Sequence, residues 1–409
     1  MKPRNYQIQI SDQAYNLLTD YKIAYLALEV RTGKTITALL TAKKYGVKKI
    51  LFVTKKKAIK GIEEDFKHFD FEHVIINYES VEKADIEPDL VIIDESHSLG
   101  AFPKPSQRTL KLKEICRNKL IIYLSGTPSH ESYSQLFHQF FISSFSPFLE
   151  YKNFYKWAND FVNKKKRYVY NREINDYSDG IKELIMNRCG HLFINYTQKE
   201  AGFEKVINEK ILHVEMHPQT YNLASRLRKD LIYESGDKII LADTAVKLQS
   251  KLHQIFSGSV KSESGDIITF DYSKAVFIKE NFKGKKIAIF YKFIGERNIL
   301  KATFSNWTES PQDFQENNNL VFIGQFQSAR EGIRLDTADC IIFYNIDFSF
   351  LSYEQARNRI MSKERIKEAV LYWVFSVGGI ENYIYKAVSK KKDFTTSYFR
   401  NEYLKHAII

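Results

Sequence analysis

Apolar residues in this chain fall in short, continuous runs set between helical patterns. Residues 23–26 (IAYL), 49–54 (KILFVT), 73–76 (HVII), 90–93 (LVII) and 120–124 (LIIYL) are such runs. Continuous rather than alternating apolar positions predict strands buried on both faces, as in a parallel sheet covered by helices. Helical spacing appears between them, at Ile10, Ala14, Leu17 and Leu18, at Ile36, Ala38, Leu39 and Leu40, and over residues 58–69. The alternation through residue 128 predicts a doubly wound α/β layer.

The second half repeats the theme. Residues 286–291 (KIAIFY) open a second strand–helix series. Residues 320–323, 340–344 and the LYWVF run at 371–375 read as further buried strands, with an amphipathic helix through Ile384 and Val388. Residues 206–260 show helical patterns, and 261–266 (KSESGD) a hairpin tip. Most of the aromatic positions between 133 and 162 have spacing suited to core. Residues 164–180 (KKKRYVYNREINDYSDG) differ. A basic run, alternating aromatics and turn residues predict a hairpin or exposed loop.

Composition changes this picture little. The 409 residues suffice for two to three domains, and 44% hydrophobic with 27% charged residues is globular composition. A net charge of +12 favours a polyanionic partner, although solubility alone also explains it. Three widely separated cysteines, Cys116, Cys189 and Cys340, suggest neither a disulfide framework nor a zinc site. The first residues, MKPRNYQIQI, lack a signal-peptide core, and no apolar run approaches the ~20 residues that span a bilayer. A soluble, cytoplasmic protein without membrane contact is expected.

Candidate chemistry concentrates after the first strand. Residues 27–35 read ALEVRTGKT. A strand, a tight loop and a helix opening on Gly-Lys-Thr make a phosphate cradle. Arg31, Thr32 and Gly33 form its turn, Lys34 reaches the β- and γ-phosphates, and Thr35 offers a hydroxyl to Mg²⁺. The full pattern has glycine five residues before Gly33, and Leu28 stands there. Upstream, Arg4, Tyr6 and Gln7 precede the first helix. The Gln7 amide can pair with adenine while an arginine or aromatic stacks on it; a polar helix start is the other reading. The run 90–93 ends in Asp94-Glu95, where Asp94 can hold Mg²⁺ through water and Glu95 can polarise an attacking water. Ser125 and Thr127, in SGTP after the fifth run, can sense the γ-phosphate. Lys55, Lys56 and Lys57 follow the second run, where open sheets place ligand loops, and read as DNA contacts or as a solvated charge run.

The order GKT, DESH, SGTP, with NYES at 77–80 and Gln-Ala-Arg-Asn-Arg at 355–359, resembles superfamily 2 helicases and translocases of the Swi/Snf-type branch, most closely small phage-encoded members. The resemblance covers nearly the whole chain. It implies two tandem RecA-like, doubly wound parallel-sheet domains, 1–205 and 206–409, with a helical and hairpin insertion at about 145–200. It implies ATP and Mg²⁺ bound between them and DNA gripped across their outer face. Gln7 would read adenine, Lys34 and Thr35 would bind phosphate and metal, Asp94 and Glu95 would catalyse, and Ser125 and Thr127 would couple hydrolysis to movement. The loop 325–335 would face both ATP and nucleic acid through Gln325, Ser328 and Gly332.

Gln355 and Arg359 stand at i and i+4, on one helix face. In the family that helix reaches the ATP, and Arg359 would offer its charge to the γ-phosphate. The usual second arginine is Ser362 here, so Lys363 or Arg365 replaces it or Arg359 acts alone. In fork-remodelling relatives an insertion placed like 164–180 touches DNA, which would make Lys164, Lys165, Lys166 and Arg167 contacts; a solvated hairpin is the alternative. The expectation is a monomeric, DNA-dependent ATPase that unwinds or remodels branched or duplex DNA, in a bacterial host cytoplasm if phage-encoded. The alternatives are a duplex translocase that never separates strands, a nucleic-acid-binding protein with a decayed ATP site, and RNA as the track.

Overall fold

The computed structural model describes residues 3–29, 31–129, 132–169, 172–202, 208–236, 238–326, 335, 337–349 and 370–389. The chain forms two compact units, Met1–Phe203 and Glu204–Ile409.

The first unit runs α1 (Asn5–Tyr21), β1 (Ile23–Leu28), α2 (Lys34–Tyr45), β2 (Lys49–Thr54), α3 (Ile59–Phe66), β3 (Glu72–Asn77), β4 (Leu90–Asp94), α4 (Gln107–Ile115) and β5 (Leu120–Leu124). Next come α5 (Gln135–Phe140), α6 (Phe154–Phe161), a β6–β7 hairpin (Lys165–Val169, Arg172–Asp176), α7 (Lys182–Cys189) and β8 (Phe193–Tyr196). The sheet order is β3-β2-β4-β5-β1-β8, and every neighbouring pair is parallel. One strand, β5, thus lies between β1, which feeds the GKT loop, and β4, which ends in the acid pair.

Alternate residues of each strand feed two cores. Ile23, Tyr25, Val53, Ile93 and Tyr123 pack with Phe137, Phe140 and Trp157 on one face. Ala24, Leu26, Phe52, Ile92 and Leu124 pack against Ala14, Leu18 and Leu39 on the other. That two-sided burial is why the runs read as continuous.

The second unit runs β9 (Asn208–Val214), α8 (Pro218–Asp230), a β10–β11 hairpin (Ile232–Ser235, Lys238–Leu241), α9 (Ala245–Ile255), a β12–β13 hairpin (Ser259–Lys261, Ile267–Thr269), α10 (Ser273–Asn281) and β14 (Ile287–Tyr291). It continues with α11 (Ile294–Thr303), β15 (Trp307–Thr308), α12 (Pro311–Glu316), β16 (Val321–Gln325), β17 (Cys340–Phe343), β18 (Val370–Ser376) and α13 (Glu381–Ser389). Its sheet, β15-β16-β14-β17-β18-β9, is again parallel throughout. The fold is therefore two tandem doubly wound, RecA-like parallel-sheet domains, the first carrying a helical and hairpin insertion.

Several expectations need correction. The first helix starts at Asn5, so Tyr6 and Gln7 sit in its first turn rather than ahead of it. The helix expected over 58–69 is confined to Ile59–Phe66, after a 3₁₀ turn at Lys56–Ala58. The second sheet does not begin at residue 286: β9 joins it from the other side of two hairpins, pairing with β18 along its length. β9 (NEKILHV) escapes the apolar-run rule because it is an edge strand, largely half-exposed.

Candidate active site

All of the first unit's candidate residues outside the hairpin lie at one end of its sheet, where parallel strands hand over to helices or loops. β1 ends at Leu28, fully buried and paired with Tyr196. The position where the common pattern has glycine is thus still strand here. The Leu28 carbonyl accepts the Lys34 ammonium at 3.2 Å, so the lysine arches back over the loop. Thr32 is buried, and its hydroxyl donates to the Glu29 carbonyl at 2.7 Å. Gly33 caps α2 with φ 82°. A Cβ there would meet Gln7 Nε2 at 2.3 Å, so a side chain is excluded by both backbone and neighbour. Lys34 and Thr35 form the first turn of α2, whose N-terminus favours an anion.

The Arg4, Tyr6 and Gln7 cluster braces this loop from outside. Gln7 accepts from the Arg4 backbone N–H at 2.9 Å and donates to the Gly33 carbonyl at 3.3 Å. Tyr6 donates to the Thr32 carbonyl at 3.0 Å, stacks on Tyr196 at 4.9 Å, and accepts from the Arg4 guanidinium at 2.9 Å. The cluster and the loop are one hydrogen-bonded body.

The acid pair sits on β4. The Asp94 carboxylate accepts from the Thr54 hydroxyl at 2.7 Å, and the Asp94 carbonyl accepts from Tyr78. Burial first, then the charge of Glu95, pushes the Asp94 carboxyl up to about 6; Lys34 and Thr54 pull the other way. Burial and the neighbouring carboxylate together disfavour the charged form of Asp94. A divalent cation beside Asp94 would favour that charged form. Among the described residues no group of three or more His, Cys, Asp or Glu side chains is placed to hold a metal. Mg²⁺ needs no such cage: one or two carboxylates, a hydroxyl, waters and substrate phosphates suffice. Asp94 and Thr35 fit that role.

Glu95 adopts φ 51°, ψ 46°, left-handed backbone that costs a non-glycine residue on the order of 1–2 kcal/mol. The turn swings its carboxylate to 3.3 Å from His97 Nδ1. The same nitrogen lies 3.1 Å from Ser125 Oγ, which in turn accepts the Thr127 N–H at 3.1 Å. Behind them, Ser96 hydrogen-bonds the buried Tyr25 hydroxyl at 2.8 Å, Tyr25 donates to Gln139 at 2.6 Å, and Gln139 donates to the Pro128 carbonyl at 2.7 Å. The acid pair and the SGTP segment are therefore joined twice. Sequence reasoning gave no role to Thr54, His97, Tyr25 or Gln139. For Thr54 a signal was present, a hydroxyl ending an apolar strand; for the others the partners are distant in sequence.

The nucleic-acid candidates are scattered. Lys55 and Lys56 follow β2. The hairpin exists as expected, but its lysines are engaged: Lys164 with Asn159, Lys165 with Asp179 at 2.7 Å and Lys166 with Glu173 at 2.5 Å. These pairs are exposed, so each holds its lysine weakly. Gln325 ends β16, half-buried, while Phe326 is buried against Phe343 and Trp373. The Arg167 side chain, Ser328, Gly332, Gln355, Arg359, Ser362, Lys363 and Arg365 lie outside the described residues.

No family model matches the chain. Over 168 residues, 41% of the chain, it is 24% identical to the human chromatin-remodeling ATPase INO80, and the match spans a tenth of that protein's length. Among solved structures it is similar to the Sulfolobus solfataricus SWI2/SNF2 ATPase core in complex with dsDNA, with 18% identity, coverage of 97% of this chain and 93% of that one, and a TM-score of 0.44. The Sulfolobus solfataricus SWI2/SNF2 ATPase core domain gives 16% identity, 100% and 92% coverage, and a TM-score of 0.43. No helix among the described residues is long and apolar enough to cross a membrane.

Proposed function

We propose that the chain is a DNA-dependent ATPase motor of the superfamily 2, Swi/Snf-like type. The observation that carries this reading is the convergence of Lys34, Asp94 and Glu95 on one sheet end, wired through His97 to Ser125 and Thr127. Lys34 and the head of α2 hold the phosphates. Asp94 and Thr35 hold Mg²⁺, which when bound offsets phosphate charge. Glu95 orients and deprotonates the attacking water. Because His97 touches both Glu95 and Ser125, a change at the acid is felt at the SGTP segment without any intervening shell. The likeness to a chromatin-remodeling ATPase supports ATP as the nucleotide, and the +12 charge supports a polyanionic track.

The finer reading is that Arg359 completes the ATP site, that Gln7 reads adenine, and that ATP-driven closing and opening of the two units steps the protein along DNA. The test is phosphate release with single-stranded, duplex, forked and four-way DNA and with RNA. Stimulation by DNA is expected; equal rates with and without any nucleic acid would remove the motor. Strand-separation and triplex-displacement assays on the same substrates then distinguish unwinding from translocation on duplex.

A further inference from the structure

The first unit carries a second concave site, at the end of the sheet opposite the GKT loop. It is a cavity of about 540 Å³ formed by α4, α5 and the loop leading to α6. That volume lies in the range of small-ligand and side-chain pockets, ~300–1,000 Å³. Arg117 and Ser144 mark its position. Ser144 accepts the Asn118 N–H at 3.1 Å, just ahead of the first residue of β5. The length of β5, roughly 16 Å at ~3.3 Å per residue, separates this end from Ser125.

Its base is closed core, with Phe137 and Phe148 each 2% exposed; the accessible apolar surface is that of the part-buried Phe141 and Tyr151, with Leu149 62% exposed at the lip. Phe145, on the same loop, is also exposed. Three cations ring the opening, Lys113, Arg117 and Lys152. No ion pair is recorded for any of the three cavity cations among the described residues. Lys113 instead lies over the Phe141 ring, 3.4 Å from its centroid, and burial holds its ammonium below the usual lysine range.

We propose that this cavity docks an acidic peptide segment of a partner protein, with one bulky apolar side chain seated against Phe141, Leu149 and Tyr151 and carboxylates meeting Lys113, Arg117 and Lys152. A part-exposed apolar lip ringed by three cations and one carboxylate matches an anchor flanked by acids. A nucleic-acid backbone suits it less well. Its charged, hydrated phosphates would leave Leu149 and the part-buried Phe141 and Tyr151 uncovered, while the Glu114 carboxylate at the same rim weakens any polyanion alike. The site owes nothing to the nucleotide end and stands apart from the motor reading.

The probe is a short fluorescein-labelled peptide of Asp and Glu residues around a central Ile-Phe pair, titrated with the full chain by anisotropy. Saturable binding is expected, weakening with salt and falling roughly tenfold or more, a loss of ~1.4 kcal/mol, in Arg117→Glu with Lys152→Glu and in Leu149→Glu. Replacing the peptide's Ile-Phe by Ser-Ser should cost as much. These positions are exposed, so the unfolding midpoint should stay put, and Lys113→Ala provides a second, milder variant. Three results would overturn the proposal: no saturable binding, affinity unchanged in all the variants, or a labelled oligothymidylate whose binding falls with the same substitutions, which would make this a nucleic-acid face.

Discussion

The two units are built on the same plan, six parallel strands with helices on both faces, yet they treat charge in opposite ways. At the acid pair of the first unit two carboxylates are crowded, and burial with the charge of Glu95 holds Asp94 toward its neutral form. Lys34 offsets part of this at Asp94, and Glu95 stands in left-handed backbone. Among the described residues of the second unit the buried charges pair with one another, although one Glu381 carboxylate oxygen keeps no hydrogen-bond partner. Lys274 and Glu381, both fully buried, pair at 2.6 Å, and Ser376 donates to the same carboxylate at 2.8 Å. Glu296 accepts from Asn345 at 2.6 Å and from the Lys292 and Phe293 N–H groups, and Lys292 pairs with Asp347 at 2.6 Å. The contrast is between a sheet end whose acids are crowded and strained and a unit whose described buried charges brace its own elements. Asn345 and Asp347, just ahead of the segment that carries Gln355 and Arg359, are held by this network.

The contrast can be broken most forcefully in the second unit. Lys274→Met leaves Glu381 buried and uncompensated, and should cost ~3–5 kcal/mol in denaturant unfolding. The double variant Lys274→Met with Glu381→Leu should recover most of that loss. A single variant as stable as the parent would show that the pair is not a closed charge system.

In the first unit the same kind of substitution should have the opposite sign. The Asp94 carboxyl is raised to about 6 from an ordinary 3.8. The fold therefore favours the protonated acid. That stabilisation is complete below about pH 4 and is lost as pH rises through about 6. Ligand-free, magnesium-free wild type should lose ~1–3 kcal/mol relative to Asp94→Asn between pH 4 and pH 7, after allowance for partial solvent screening. Parallel stability curves for the two proteins would contradict the crowding of the acid pair.

The smallest stability effect belongs to the hairpin. Its exposed pairs Lys165–Asp179 and Lys166–Glu173 contribute little. Changing Lys164, Lys165, Lys166 and Arg167 to Ala should shift unfolding by under ~1 kcal/mol while weakening DNA stimulation of the ATPase. Unaltered DNA affinity and stimulation would make the hairpin a solvated surface.

Much of this was legible in the sequence, for a physical reason. Central parallel strands must be apolar on both faces, so LVII and LIIYL announce themselves, and a GKT loop and an acid pair are short local signals. Edge strands carry no such constraint, and β9 passed unread. The polar wiring was unreadable for another reason. Tyr25 meets Gln139 across 114 residues and Lys274 meets Glu381 across 107, and nothing local in either residue names its partner. Leu28 shows the converse: a departure from the common motif that the sequence reports and only the strand register explains.

The account stands or falls on Glu95. Phosphate release should be compared for wild type and Glu95→Gln at saturating ATP, magnesium and forked DNA, with binding of a fluorescent ATP analogue measured alongside. The prediction is DNA-stimulated turnover by wild type, a fall of roughly a hundredfold or more in the variant, and nucleotide affinity unchanged within a few-fold. A variant that hydrolyses ATP like wild type would contradict the role given to the acid pair.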